Sequence, residues 1–179
     1  MDGSIEDWNK FERLTPFRVR EVLLIASQFD RYLLEESGHL AEILQEEYSV
    51  LNMSQAPRII HSPDADDAIE LVSARKFDLV ITMSKVGKMN VFELARKLKG
   101  IVSDLPVVML SQNTRELATL NTGEGIDRIF VWSGDSRILL SICKLIEDEK
   151  NVENDVRGGD VQVILLVEDS RRFYSAYLP

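Results

Sequence analysis

The chain has 179 residues, 45% hydrophobic and 28% charged, with a formal net charge of −9 and a single cysteine. That length and apolar content bury one ordinary core with a short appendage, and the acidic balance repels a phosphate backbone, which excludes DNA and RNA as partners. One cysteine excludes an internal disulfide, no apolar run approaches the roughly 20 residues that span a bilayer, and the acidic start Met1–Lys10 lacks a signal-peptide core. A cytoplasmic protein without membrane contact is expected.

In chain order, Ile5, Trp8, Phe11 and Leu14 recur every three residues and predict an amphipathic helix within 1–18, ending at Thr15-Pro16 and docked on the domain or a partner. Five short apolar runs follow: Val22-Leu-Leu-Ile25, Arg58-Ile-Ile60, Leu79-Val-Ile81, Val107-Val-Met-Leu110 and Ile129-Phe-Val131. They are continuous, not alternating, as in strands buried on both faces.

Between the runs lie stripes of helical spacing: Leu40, Ile43, Leu44 and Tyr48; Ala65, Ala68, Ile69 and Val72; Phe92, Ala95 and Leu98; Leu117 and Leu120. A fifth stripe, Ile138, Leu139, Ile142, Cys143 and Ile146, makes the cysteine a buried thiol. The punctuation agrees. Ser62-Pro63 reads as an N-cap with proline at the first helical position, Lys99-Gly100 as a basic last turn with a glycine stop, and Asn113-Thr-Arg-Glu116 as a capping box.

Five strands alternating with five helices over 19–150 predict a doubly wound α/β domain with a five-stranded parallel sheet. In such sheets ligands sit beyond the carboxyl ends of the strands, so the deciding residues are Ala26, Ser27, Met83, Ser111 and Trp132. From Glu147 to Asp160 the chain holds six acids and two bases with Gly158-Gly159, which predicts an acidic linker over 151–160. Beyond it, Val161 to Val167 reads as an apolar strand seeking a sheet edge, in this or another chain, and Phe173, Tyr174 and Tyr177 begin a helical stripe.

Several catalytic readings fail on the residues. Ser27 lacks a Gly-x-Ser-x-Gly elbow, Gly123-Glu-Gly125 is too short for a dinucleotide fingerprint and follows a helix, and His39 and His61 stand apart from any ligand cluster. No catalytic residue is assigned.

The stretch Phe77-Asp-Leu-Val-Ile-Thr-Met-Ser-Lys-Val-Gly-Lys-Met-Asn-Val-Phe-Glu-Leu resembles the third strand and following helix of two-component receiver domains, which implies a flavodoxin-like, CheY-like fold. In that register Met83 stands where the family has its phosphoryl-accepting aspartate, Ala26 and Ser27 replace the paired acids, Trp132 replaces the lysine, and only Ser111 keeps the switch hydroxyl. Four of the five pocket positions are thus degenerate. A hard divalent cation needs several oxygen ligands, so no metal or cofactor is expected in this domain. Laying Val22-Leu-Leu-Ile-Ala-Ser-Gln over Val163-Ile-Leu-Leu-Val-Glu-Asp-Ser identifies Glu168 and Asp169 as an intact acidic pair. They would hold Mg²⁺ only in a complete second receiver, of which 161–179 is the truncated start.

A wider resemblance, through Glu12–Ile25, Ile126–Trp132 and Val163–Ser175, is to the N-terminal regulatory region of bacterial proteins related to phosphoenolpyruvate synthase and pyruvate phosphate dikinase. It implies a non-catalytic regulatory module ahead of a phosphotransferase region whose motifs these residues lack. The expected partners are protein domains, with a symmetric dimer through 114–149. Two other readings stand beside this one: a nucleotide or metabolite sensor using the space above Ala26, Ser27, Met83 and Trp132, and a phosphoacceptor at Asp30 or Asp78.

Overall fold

The computed structural model describes residues 14–36, 56–113, 123, 125–159 and 161–179. The five expected strands form: β1 (Glu21–Ile25), β2 (Arg58–Ser62), β3 (Leu79–Met83), β4 (Val107–Ser111) and β5 (Arg128–Val131). All pair in parallel in the order β2-β1-β3-β4-β5. Every residue of β3 and β4 is buried, whereas edge strand β2 is half open. That contrast is why the central runs read as continuous Val, Ile and Leu.

The helices are α1 (Gln28–Glu36), α2 (Ala65–Ala74), α3 (Val91–Ile101), α4 (Arg137–Gly159) and α5 (Arg171–Tyr177). One face of each of α2, α3 and α4 enters the core, through Ala68 and Val72, Leu94 and Leu98, and Ile138 and Ile142. The expected helices over Leu40–Tyr48 and Leu117–Leu120, residues 114–116 of the expected capping box, and residues 1–13 of the N-terminal helix lie outside the described residues.

Two aspartates fix the sheet at its amino edge. Asp78, just before β3, accepts from the backbone N–H of Arg20 and Glu21 at 2.8 and 2.9 Å, and Asp127, just before β5, accepts from Val107 N–H at 2.7 Å. Each carboxylate satisfies amides at the start of the neighbouring strand, so a one-residue slip would orphan these donors. Asp78 therefore sits at the opposite end of the sheet from the carboxyl-end site.

Some local signals resolve differently from the expectation. The N-cap of α2 is Asp64, which accepts from Asp66 and Asp67 N–H at 3.0 Å each, while Ser62 Oγ donates to Asp64 O. A carboxylate at a helix start also meets the positive end of the dipole, and here it displaces the serine two residues earlier. Gly100 does not stop α3; the helix runs through it to Ile101 and ends in a turn where Leu105 N–H reaches Val102 O.

The largest correction concerns 151–160, expected as a linker. Helix α4 runs unbroken to Gly159, and its acidic half binds the strap at residues 15–19. Glu147 Oε1 accepts from Val19 N–H at 2.8 Å, Asn151 Oδ1 from Phe17 N–H at 2.9 Å, and Asp155 Oδ1 from Thr15 N–H at 2.9 Å. Asn151 also donates to Phe17 O at 2.7 Å. Four helical residues rise about 6 Å, close to the repeat of two extended residues, so side chains at i, i+4 and i+8 meet alternate amides of the strap. A polar helix face thus substitutes for a neighbouring strand.

Cys143 is 2% exposed, and burial, reinforced by the charge of Glu147, pushes its thiol up to about 12. A thiol titration at pH 8 is expected to find no reactive group in the native chain and one after denaturation. Rapid native labelling would mean that α4 leaves the sheet.

The strand expected over Val161–Val167 does not form. Residues 161–168 carry no regular structure and pair with none of the described strands, leaving Val163 61%, Ile164 95%, Leu165 82% and Val167 81% exposed. The adjacent sheet edge is taken instead by α5, whose Ser175 Oγ accepts from Val131 N–H at 2.9 Å and whose Tyr174 stacks on Phe130 at 6.0 Å.

Candidate functional site

At the carboxyl edge of the sheet, Ala26 and Ser27 follow β1, Met83 ends β3, Ser111 ends β4 and Trp132 follows β5. The backbone ties them into one rim: Ala26 N–H donates to Ser62 O at 3.1 Å, Ser84 N–H to Leu110 O at 2.9 Å, and Trp132 N–H to Ser111 O at 3.0 Å. The five residues named from the sequence therefore line up in the strand order β1-β3-β4-β5.

The rim is packed. Ala26 and Ser111 are fully buried, Met83 is 3% exposed and Trp132 6%. Burying a methionine there contributes roughly 1.5–3 kcal/mol, where an unpaired buried carboxylate would cost several. Trp132 leaves one exception, its indole Nε1, a buried donor without a hydrogen-bond partner among the described residues.

The hydroxyls are engaged locally. Ser27 Oγ donates to Asp30 Oδ2 at 2.7 Å and accepts from Asp30 N–H at 3.1 Å, which makes it the cap of α1. Ser111 Oγ accepts from Asn113 N–H at 3.1 Å and donates to Asn113 O at 3.3 Å, closing its own turn.

Two nearby groups escaped the sequence assignment of the site, and a third, Asp30, entered it only as an alternative phosphoacceptor. Gln112 Nε2 donates to Asp30 Oδ1 at 3.3 Å, and His61 Nε2 lies 2.8 Å from Ala26 O. Asp30 thus brings a carboxylate to this rim, with both oxygens taken by protein donors. The spacing Ser27-x-x-Asp30 was a usable signal for the first link; nothing in the sequence indicates that Gln112 crosses to α1. Beyond Trp132, Asp135 bonds Arg137 at 2.6 Å, and that bond holds its carboxyl below the usual range.

These donors do not fit a magnesium ion. A hard cation wants six or so oxygens free to turn inward, and Ala26, Met83 and Trp132 offer no side-chain oxygen while both serines are committed elsewhere. No group of three histidine, cysteine or carboxylate side chains placed to hold a metal occurs among the described residues. The second acidic pair lies apart: Glu168 Oε1 accepts from Ser170 N–H at 2.9 Å, just before α5, and Asp169 is exposed.

No helix among the described residues is long and apolar enough to cross a membrane. No sequence-family model matches the chain, and no curated protein matches it either. Solved structures do. A CheY-like receiver domain from Methanospirillum hungatei aligns with TM-score 0.58 and 17% identity over 75% of this chain and 98% of its own. Chemotaxis regulator CheY4 of Vibrio cholerae aligns with TM-score 0.55 and 17% identity over 72% and 98%. Regulator TrrA of Thermotoga maritima, solved with Mg²⁺ and BeF, aligns with TM-score 0.54 and 18% identity over 71% and 98%. The chain therefore has the five-stranded, all-parallel flavodoxin-like fold of CheY-like receiver domains.

Proposed function

We propose that this chain is a non-catalytic receiver-type module of a two-component signalling protein, acting through protein contacts in the cytoplasm. The observation that carries the reading is Met83, buried at the carboxyl end of β3 where the receiver resemblance expects a phosphoryl-accepting aspartate. A thioether neither accepts a phosphoryl group nor binds Mg²⁺, and neither Ala26 nor Trp132 supplies the charge that phosphoryl transfer needs. On the wider resemblance, the module would stand ahead of a phosphoenolpyruvate synthase or pyruvate phosphate dikinase-like region. Residues 161–179 then open a second receiver in which Glu168 and Asp169 would take part in holding Mg²⁺.

Incubation with acetyl phosphate and Mg²⁺, followed by intact-mass and peptide mass spectrometry, tests this. The expected result is no phosphoryl group on residues 19–150. A phosphoaspartate at Asp30, the acid seen to bond at the rim, would overturn the reading.

A small-ligand sensor has one observation on its side, the indole Nε1 of Trp132, unpaired among the described residues. Against it, Ala26, Met83, Ser111 and Trp132 are packed, so a ligand would have to displace core side chains.

A homodimer through 114–149 belongs to the same proposal. Within that stretch β5 and Ser141 are engaged by the chain's own tail, which bears on how such a dimer is built.

A further inference from the structure

Helix α4 is longer than the sheet it covers. Its 23 residues rise about 34 Å, whereas strands of four or five residues span about 16 Å, so the half beyond Glu147 outruns the sheet. The strap takes one side of that half through Asn151 and Asp155. A neighbouring side is apolar and bare: Val152 and Val156, one turn apart, are 44% and 42% exposed, on a stretch otherwise made of acids, amides and bases.

The chain entering the strap already touches the end of this side. Leu14 lies against the last turn of α4, where a Cβ at Gly159 would come within 2.3 Å of Leu14 Cδ2. Thr15 then stands at φ 50, a left-handed conformation rare for a β-branched residue, and Pro16 follows. A left-handed residue with proline behind it is a common way for a helix to end. The apolar stripe Ile5, Trp8, Phe11 and Leu14 runs into that signal from its amino side, with Leu14 as its last member.

We propose that residues 5–14 form a helix that packs on the Val152–Val156 side of α4, parallel to it. The strap runs antiparallel to α4, because Thr15, Phe17 and Val19 bond Asp155, Asn151 and Glu147 in turn. The reversal at Thr15-Pro16 therefore leaves the preceding helix parallel to α4. The contact of Leu14 with Gly159 sets the register. Each helix rises about 1.5 Å per residue, so stepping back from Leu14 brings Phe11 level with Val156 and Trp8 within a residue of Val152. The occupant is this segment because its last apolar residue is in place and the others recur at the spacing the two valines need. Strap and helix then clasp the projecting half of α4 on two sides, and Gly159 permits the close approach of Leu14.

The double variant Phe11→Cys/Val156→Cys of the full chain tests the placement, since Cys143 is buried and stays out of the reaction. Under mild oxidation the expected product is a monomer with a disulfide between positions 11 and 156, closing at the same rate at every protein concentration. Phe11→Cys/Asn154→Cys, with its second thiol on the far side of α4, is expected to close at least tenfold more slowly. A second measurement needs no cysteine. With Val152→Gln/Val156→Gln, at exposed positions that leave the core intact, trypsin is expected to cut after Lys10 and Arg13 at least tenfold faster than in the parent chain. A link between chains whose yield rises with concentration would seat a second copy on α4 instead. That result, equal closure at 156 and 154, no closure at all, or tryptic cutting at the parent rate each overturns the proposal. None of these readouts depends on phosphoryl transfer, so their failure leaves the pseudo-receiver reading to its own test.

Discussion

Replacing Met83 by aspartate, the residue the receiver resemblance calls for, is expected to destabilise the domain without making it a phosphoacceptor. The side chain is 3% exposed, and its neighbours along the rim, Ala26, Ser111 and Trp132, bring no cation. A carboxylate buried there without a partner costs roughly 3–5 kcal/mol, which for a chain of this size is a drop in Tm of about 10 °C. The sign of the pH dependence follows from burial. The introduced group's folded pKa lies above its unfolded value, so the folded state holds the proton more tightly and stability falls as pH rises above about 4. The deficit against the parent chain is thus smallest in acid and grows toward neutrality. Urea unfolding at pH 4 and pH 7 measures it, and mass spectrometry after acetyl phosphate treatment checks the chemistry. A variant as stable as the parent at pH 7, or one that gains a phosphoryl group at position 83, would mean that the rim is still an open acidic pocket.

That experiment also separates fold from chemistry, which the sequence exposes unequally. The parallel sheet was legible because its central strands are buried on both faces, so Val107–Leu110 and Leu79–Ile81 appear as unbroken apolar runs. The rim was legible for a topological reason: once the strands are placed, the residues after them must share one edge. What those residues do was legible only in part. The composition at Ala26, Ser27, Met83 and Trp132 speaks against a metal, but the bond from Gln112 to Asp30 spans 82 positions and leaves no periodic trace.

The misread segments share a cause. Helix caps are decided by which oxygen reaches the first amides, and Asp64 stands two residues beyond the Ser62-Pro63 signal. At the C-terminus, strand propensity in Val161–Val167 is real, but a strand needs a neighbour, and the nearby edge amide of Val131 is already held by Ser175. In each case a tertiary partner outbids a local preference.

The same competition governs α4, and Asn151→Ala should reveal it as a loss of about 2 kcal/mol. A run of acids ending in two glycines looks solvated because composition reports charge and not direction; only the spacing of Glu147, Asn151 and Asp155 places three acceptors on one side. Asn151 is 1% exposed and bonds both the N–H and the C=O of Phe17. Truncation leaves both backbone groups without partners, at about 1–3 kcal/mol for a buried one and less where water reaches Phe17. For a domain of this size that is a fall in Tm of about 4–8 °C. Asn151→Asp separates the two bonds: it keeps an acceptor for Phe17 N–H but sets a carboxylate against Phe17 O, so it should fall short of the parent. Lys150→Ala, one residue away and exposed, without an ion pair among the described residues, serves as the control and should leave Tm unchanged. Calorimetry on the three variants reads the result. If Asn151→Ala melts with the parent, residues 151–159 do not hold the strap, and the acidic stretch is the linker its composition describes.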